Sequence, residues 1–140
     1  MNIKATSQVL GVIGDPIAHS FSPDMHNAAI DALGMDLCYI AFHVQPNRVG
    51  SAVNGLRGFD ILGLNVTIPH KLAVMEYVDQ ISEEALAVGA VNTIHNEDGN
   101  LTGYNTDVYG VTTAIEQIAG VTRFPESCVV LGAGGASRAV

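Results

Sequence analysis

Lysine is scarce in this sequence, and one of its two lysines stands where chemistry would use it. Lys4 lies near the terminus, which leaves Lys71 as the lysine in the body of the chain. Lys71 closes the run Asn65-Val66-Thr67-Ile68-Pro69-His70-Lys71. An amide, a hydroxyl and an ammonium on a turn stiffened by proline could hold an oxygenated ligand and exchange a proton with it. The plainer reading is a surface lysine at a helix start. A second group, His19-Ser20-Phe21-Ser22-Pro23, sets two hydroxyls one residue apart beside a helix N-terminus. Free N–H groups and the helix dipole there favour a carboxylate. The plainer reading makes Ser22 an N-cap and Ser20 a turn residue. A third group joins Gly89-Ala90-Val91-Asn92-Thr93 to Gly103-Tyr104-Asn105-Thr106-Asp107. Asn92 both donates and accepts hydrogen bonds. Asp107 beside a lysine would form a coupled acid/base pair, although Thr106 or Asp107 could also start the following helix. Finally, Gly132-Ala133-Gly134-Gly135-Ala136 follows the apolar Val129-Val130-Leu131, the context that a dinucleotide-binding loop demands.

The elements that must position these groups are legible from their periodicity and punctuation. Val9 to Ile13 reads as a buried strand ended by Gly14-Asp15-Pro16. Ser22-Pro23 opens a helix that runs to about Leu33 and stops at Gly34. Leu37 to Val44 is a second strand, Pro46 opens a second helix that Gly55 to Gly58 closes, and Ile61 to Val66 is a third strand. This alternation predicts a mostly parallel α/β sheet flanked by helices. Ligands in such sheets bind beyond the carboxyl ends of the strands, where Ser20, Thr67 and Lys71 fall. Short helices are expected from Pro69 and from Ser82-Glu83-Glu84 to Gly89, and a hairpin from Val91 to Tyr104 around Asp98-Gly99. Val108 to Ile118 has helical spacing, Val121 to Ser127 is a linker, and Cys128 to Leu131 reads as one more strand. Residues 1–122 are thus expected to form one domain, and residues 123–140 the start of a truncated nucleotide-binding domain.

Composition narrows the function classes. Apolar residues make up 48% and charged residues 14% of the 140, enough for a packed core. The net charge is -8 with only six Lys and Arg, which leaves no basic patch for nucleic acid. No apolar stretch approaches the roughly 18 residues of a membrane span, and no signal peptide is visible, so a cytoplasmic protein is expected. No Cys/His cluster points to a metal. Cys38 and Cys128 read as reduced thiols packed in strands. His26, His43 and His95 read as ordinary residues, while His19 and His70 flank the candidate site as supporting groups.

Taken in order, these segments resemble the shikimate dehydrogenase family over essentially the whole chain. Ser20-Phe21-Ser22-Pro23 matches its Ser-x-Ser-Pro motif, and Asn65 to Lys71 matches Asn-Val-Thr-x-Pro-x-Lys in full. Gly89 to Thr93, Gly103 to Asp107 and Gly132 to Ala136 match three further signatures. The resemblance implies an aminoacid dehydrogenase-like substrate domain followed by the first βα step of a Rossmann domain. It implies NADPH-dependent reduction of 3-dehydroshikimate to shikimate, in aromatic amino-acid biosynthesis on the chorismate pathway. By motif position, Ser20 and Ser22 would bind the substrate carboxylate, and Thr67, Asn92 and Asp107 the ring hydroxyls. Lys71 would be the general acid/base, with Asp107 orienting it and Asn65 supporting the site from behind. Gly132, Ala133, Gly134, Gly135 and Ala136 would meet the pyrophosphate of NADP. NAD is the alternative cofactor, because the selecting residue would lie about 20 residues past the loop. A homodimer is compatible with the resemblance. The rival readings are an enzyme acting on quinate or a related hydroxy acid, and a non-catalytic ligand-binding fragment. The 140-residue chain alone is expected not to turn over.

Overall fold

The computed structural model describes residues 3–118 and 127–139. Three strands form first in the chain: β1 (Gln8–Gly14), β2 (Leu37–His43) and β3 (Gly63–Val66). β1 pairs parallel with β2 on one side and with β3 on the other. The connections alternate between the two faces of the sheet. Helix α1 (Ser22–Ala32) packs over one face, where Val12, Ile17, Ile30, Leu37 and Tyr39 form a small core. Helix α2 (Val49–Gly58) covers the other, where Ile13, Val53, Leu56, Leu64, Val66 and Ile94 lie at the centre of the larger core. Adjacent residues such as Val12 and Ile13 fall into different cores because side chains alternate across a strand.

The sheet then changes direction. The hairpin of β5 (Thr93–Glu97) and β6 (Asn100–Tyr104) joins β3 antiparallel, and the two-residue β4 (Gln80–Ile81) pairs parallel with β6. The strand order is β2-β1-β3-β5-β6-β4, a mixed six-stranded sheet. Asp98 and Gly99 both have positive φ, 52° and 87°, as a tight hairpin turn requires. Helix α3 (Glu83–Val88) is capped as its sequence predicts: Ser82 accepts from the Ala85 N–H at 3.2 Å, and Gly89 closes the helix with φ 68°. Helix α4 (Asp107–Thr113) follows β6 and continues into a π-helical turn over Ala114–Ile118.

Two expectations need correction. Ser22 is the first residue of α1 and not its cap. Phe21 holds the cap position without a side-chain hydrogen bond, and the Ser22 N–H is taken by Ser20 Oγ at 3.2 Å. Cys128 to Leu131 forms no strand, although its composition is that of one. The residues are exposed, Val129 by 88% and Leu131 by 94%, and so is Cys128. The physical reason is pairing: a parallel strand needs a neighbour for its N–H and C=O groups, and this segment has none within the six-stranded sheet. Cys38, by contrast, is buried in β2. The expected linker at Val121 to Ser127 and the last residue of the chain lie mostly outside the described residues. No helix among the described residues is long and apolar enough to cross a membrane.

Candidate active site

Pairing register brings the sequence groups to one edge of the sheet. Ile13 stands beside Val66, and Asn65 beside Thr93, which itself faces Tyr104. The carboxyl ends of β1, β3 and β6 and the amino end of β5 therefore share one edge. Residues 15–22, 67–71, 92 and 105–107 all leave the sheet there.

Lys71 is buried, with 8% of its surface exposed. Its Nζ donates to Asp107 Oδ2 at 2.5 Å. The backbone is tied down as well, because the Lys71 carbonyl accepts from Val91 N–H at 2.8 Å. A buried ammonium requires a partner, and Asp107 supplies it. Asp107 Oδ1 accepts from Asn92 Nδ2 at 2.8 Å, and the same Nδ2 donates to Thr106 Oγ1 at 2.9 Å. Asn92 Oδ1 accepts from the Thr106 N–H at 3.0 Å and from Thr93 Oγ1 at 2.9 Å. Asn105, buried, accepts from the Asp107 N–H at 2.9 Å and donates to the Ala90 carbonyl at 2.9 Å. Thr106 holds the cap position of α4 without a side-chain cap bond, and the Asp107 carboxylate is turned to Lys71 and Asn92. His70, 1% exposed, donates from Nε2 to the Val44 carbonyl at 2.7 Å and fastens the Lys71 turn to the chain after β2. Among the described residues, no buried side-chain nitrogen or oxygen lacks a partner.

Beside this pair lies a hollow of about 400 Å³ lined by Ser20, Ser22, Thr67, His19, Asp15 and Ile68, among others. Ser20, Ser22 and Thr67 come together there. Gly14 makes this approach feasible: a Cβ at that position would stand 2.7 Å from Thr67 Cγ2 and 2.9 Å from Ile17 Cδ1. Lys71, Asn92 and Asp107 do not line the hollow itself. Gly135 packs against the Lys71 side chain. A Cβ on it would fall 2.9 Å from Lys71 Cβ. Gly132 and Gly134 have no atom within 4 Å of where a side chain would start. No cluster of His, Cys, Asp and Glu suited to a metal occurs among the described residues.

One residue of this site escapes the sequence motifs. Tyr39, on β2, is 4% exposed, and its Oη donates to Asn65 Oδ1 at 2.7 Å. Burial pushes the phenol up to about 12, against an opposing contribution from the Ser22 hydroxyl. Tyr39 sits within the apolar run Leu37-Cys38-Tyr39-Ile40-Ala41-Phe42, where an aromatic residue reads as core. Only the pairing order, which places β2 and β3 on either side of β1, brings it near Asn65.

The chain is similar to known proteins over nearly its whole length. Residues 12–94 match the model of the shikimate dehydrogenase substrate binding domain. A shikimate dehydrogenase (NADP(+)) of Methanothermobacter thermautotrophicus is 49% identical over 137 residues, which cover 98% of this chain and 48% of that protein. The fold matches the crystal structure of shikimate 5-dehydrogenase from Listeria monocytogenes in complex with shikimate and NAD. The TM-score is 0.89 at 40% identity, with coverage of 99% of this chain and 48% of the other. It also matches that of Thermus thermophilus in complex with NADP(H) and shikimate, with TM-score 0.84 at 38% identity, covering 95% and 50%. The chain spans about half the length of the curated relatives it matches. With the family model covering more than half of its residues, the chain belongs to the shikimate dehydrogenase substrate-binding domain family.

Proposed function

We propose that this chain is the substrate-binding half of an NADP-dependent shikimate dehydrogenase, which reduces 3-dehydroshikimate to shikimate. The observation that carries this reading is the buried contact of Lys71 Nζ with Asp107 at 2.5 Å, beside a hollow lined by serine and threonine hydroxyls. Residues 1–122 would form the substrate domain and residues 123–140 the start of the cofactor domain. The NADP(+) named for the Methanothermobacter relative supports NADP, and the Listeria complex keeps NAD as the alternative. The acidic net charge of -8 supports a small-molecule substrate over nucleic acid, and the free Cys38 and Cys128 support a cytoplasmic setting. A homodimer is compatible with this reading.

The glycine segment suits a pyrophosphate by its backbone. Gly132 has φ 120°, a conformation that glycine adopts at little cost, and Gly132 and Gly134 leave the chain bare. Gly132, Ala133, Gly134, Gly135 and Ala136 would hold the cofactor there. When bound, the cofactor supplies a hydride to the substrate carbonyl carbon.

The chain's own residues do the rest. Ser20 and Ser22 hold the substrate carboxylate beside the start of α1, where the helix dipole favours negative charge. Thr67, Asn92 and Asp107 orient the ring hydroxyls. Lys71 meets the carbonyl oxygen. As that oxygen gains negative charge the ammonium stabilises it more than it stabilises the neutral carbonyl, and then transfers a proton to it. Asp107 keeps Nζ aimed, and Asn92 keeps Asp107 in place. The burial of Lys71 strengthens each of these charge interactions by excluding water. The reading is tested by shikimate turnover in a full-length version, in which a complete cofactor-binding domain continues the chain. Lys71→Ala must abolish most of that turnover.

A further inference from the structure

The hydrogen bonds behind the Lys71–Asp107 pair form a line with one direction, and it runs from Tyr39, whose hydroxyl also meets that of Ser22. Tyr39 Oη donates to Asn65 Oδ1 at 2.7 Å, and Asn65 Nδ2 donates to Thr93 Oγ1 at 3.3 Å. Thr93 Oγ1 donates to Asn92 Oδ1 at 2.9 Å, and Asn92 Nδ2 donates to Asp107 Oδ1 at 2.8 Å. Asp107 ends the line, with Lys71 on its other oxygen. The line crosses from β2 through β3 and β5 to the first turn of α4.

Each step depends on the one before it. A hydroxyl has one hydrogen and a carboxamide has distinct donor and acceptor ends. With the Tyr39 hydrogen on Asn65 Oδ1, the Asn65 amino group must face Thr93. Thr93, having accepted there, gives its single hydrogen to Asn92 Oδ1. That acceptance keeps the Asn92 amino group on Asp107. The Thr106 N–H holds the same Asn92 oxygen at 3.0 Å, so Tyr39 reinforces this setting and does not determine it alone.

Tyr39 is itself held from three sides by α1. Asn27 donates to its carbonyl and accepts from its N–H, each at 2.9 Å. His26 stacks on its ring with centroids 4.2 Å apart and planes 19° from parallel. A residue needed only to fill space would not require both backbone groups clamped by one side chain and its hydroxyl at the head of a directed line. We propose that Tyr39 is a positioning residue for the Lys71–Asp107 pair, acting through Asn65, Thr93 and Asn92. The same clamps tie it to the helix that begins at Ser22. This inference rests on the dehydrogenase reading given above.

The test is Tyr39→Phe in the full-length version, because phenylalanine keeps the ring, the stack and the backbone clamp and removes only the hydroxyl. Thr93→Val breaks the same line two steps further on. Each variant is expected to lower kcat about tenfold, and in Thr93→Val, which leaves the Tyr39–Ser22 contact intact, KM for shikimate is expected to change less than about threefold, since misaiming a proton donor costs turnover before it costs binding. The double variant is expected to lose no more kcat than the worse single one, since both cut one line. An unchanged kcat in Tyr39→Phe, or losses that multiply in the double variant, overturns the proposal. If Tyr39→Phe does not fold, Thr93→Val decides alone, and an unchanged kcat there overturns it. Lys71→Ala is measured in parallel. Normal turnover in that variant removes the underlying reading, whereas loss there with normal Tyr39→Phe removes only the assignment of Tyr39.

Discussion

Asn92 Nδ2 lies 2.8 Å from Asp107 Oδ1, and that bond leaves Asp107 Oδ2 as the oxygen that meets Lys71. Asn92 stands just before β5 and Asp107 at the start of α4, and the hairpin between them brings both to the carboxyl edge of β3. A carboxylate held on one oxygen by a fixed amide has little rotational freedom on the other. The lysine is therefore aimed by the hairpin register as much as by its own turn.

Ser22 and Ser20 both bear on binding but support the fold through different contacts. Ser22 forms no cap hydrogen bond, whereas Ser20 Oγ accepts from the Ser22 N–H at 3.2 Å. Ser22→Ala is therefore expected to lose only the contact of its hydroxyl with Tyr39, about 1 kcal/mol of stability, while weakening shikimate binding roughly tenfold, as the loss of a hydrogen bond to a charged group does. Ser20→Ala is expected to cost about 1 kcal/mol of stability in addition to binding. Thermal denaturation and calorimetry on both variants decide. A fall in stability confined to Ser22→Ala would contradict this pair of expectations.

Gly14 links the end of β1 to the hollow. Alanine there would push a methyl group into Thr67 and Ile17. Gly14→Ala is expected to destabilise the fold by about 1–3 kcal/mol, the usual cost of overpacking a buried site. It is also expected to weaken shikimate binding, because Thr67 is one of the side chains that must move. Unchanged denaturation and unchanged binding would show that the hollow can yield.

Acid stability should depend on Asp79. The Leu101 N–H and then the Arg57 guanidinium hold its carboxyl below the ordinary carboxylate range. A carboxyl lowered in the folded state contributes stability above its unfolded pKa, and that contribution is lost as pH falls through the folded value. Asp79→Asn should therefore lower the urea midpoint at neutral pH, and the difference from the parent chain should shrink below about pH 4. A difference that stays constant down to pH 2 would mean that the carboxylate charge plays no part.

The sequence makes most of this site legible, because its motifs sit at strand ends and strands are read from β-branched apolar runs. Ser82 and Gly89 announce α3, and Asp98-Gly99 announces the hairpin, because capping and positive φ are local requirements. What stays hidden depends on pairing. β4 is two residues long and exists only because β6 lies beside it. Cys128 to Leu131 has the composition of a strand but no neighbour to pair with among the described residues. Tyr39 reads as core because its run is apolar, and its hydroxyl gains meaning only from Asn65 across the sheet. His70 likewise depends on the Val44 carbonyl, 26 residues away.

The central claim concerns Lys71, and turnover of Lys71→Ala in the full-length version tests it most directly. The account predicts a loss of kcat on the order of 10²-fold or more, with only a modest change in shikimate affinity, because the ammonium acts on charge that develops at the carbonyl oxygen. Near-normal turnover in that variant would contradict it.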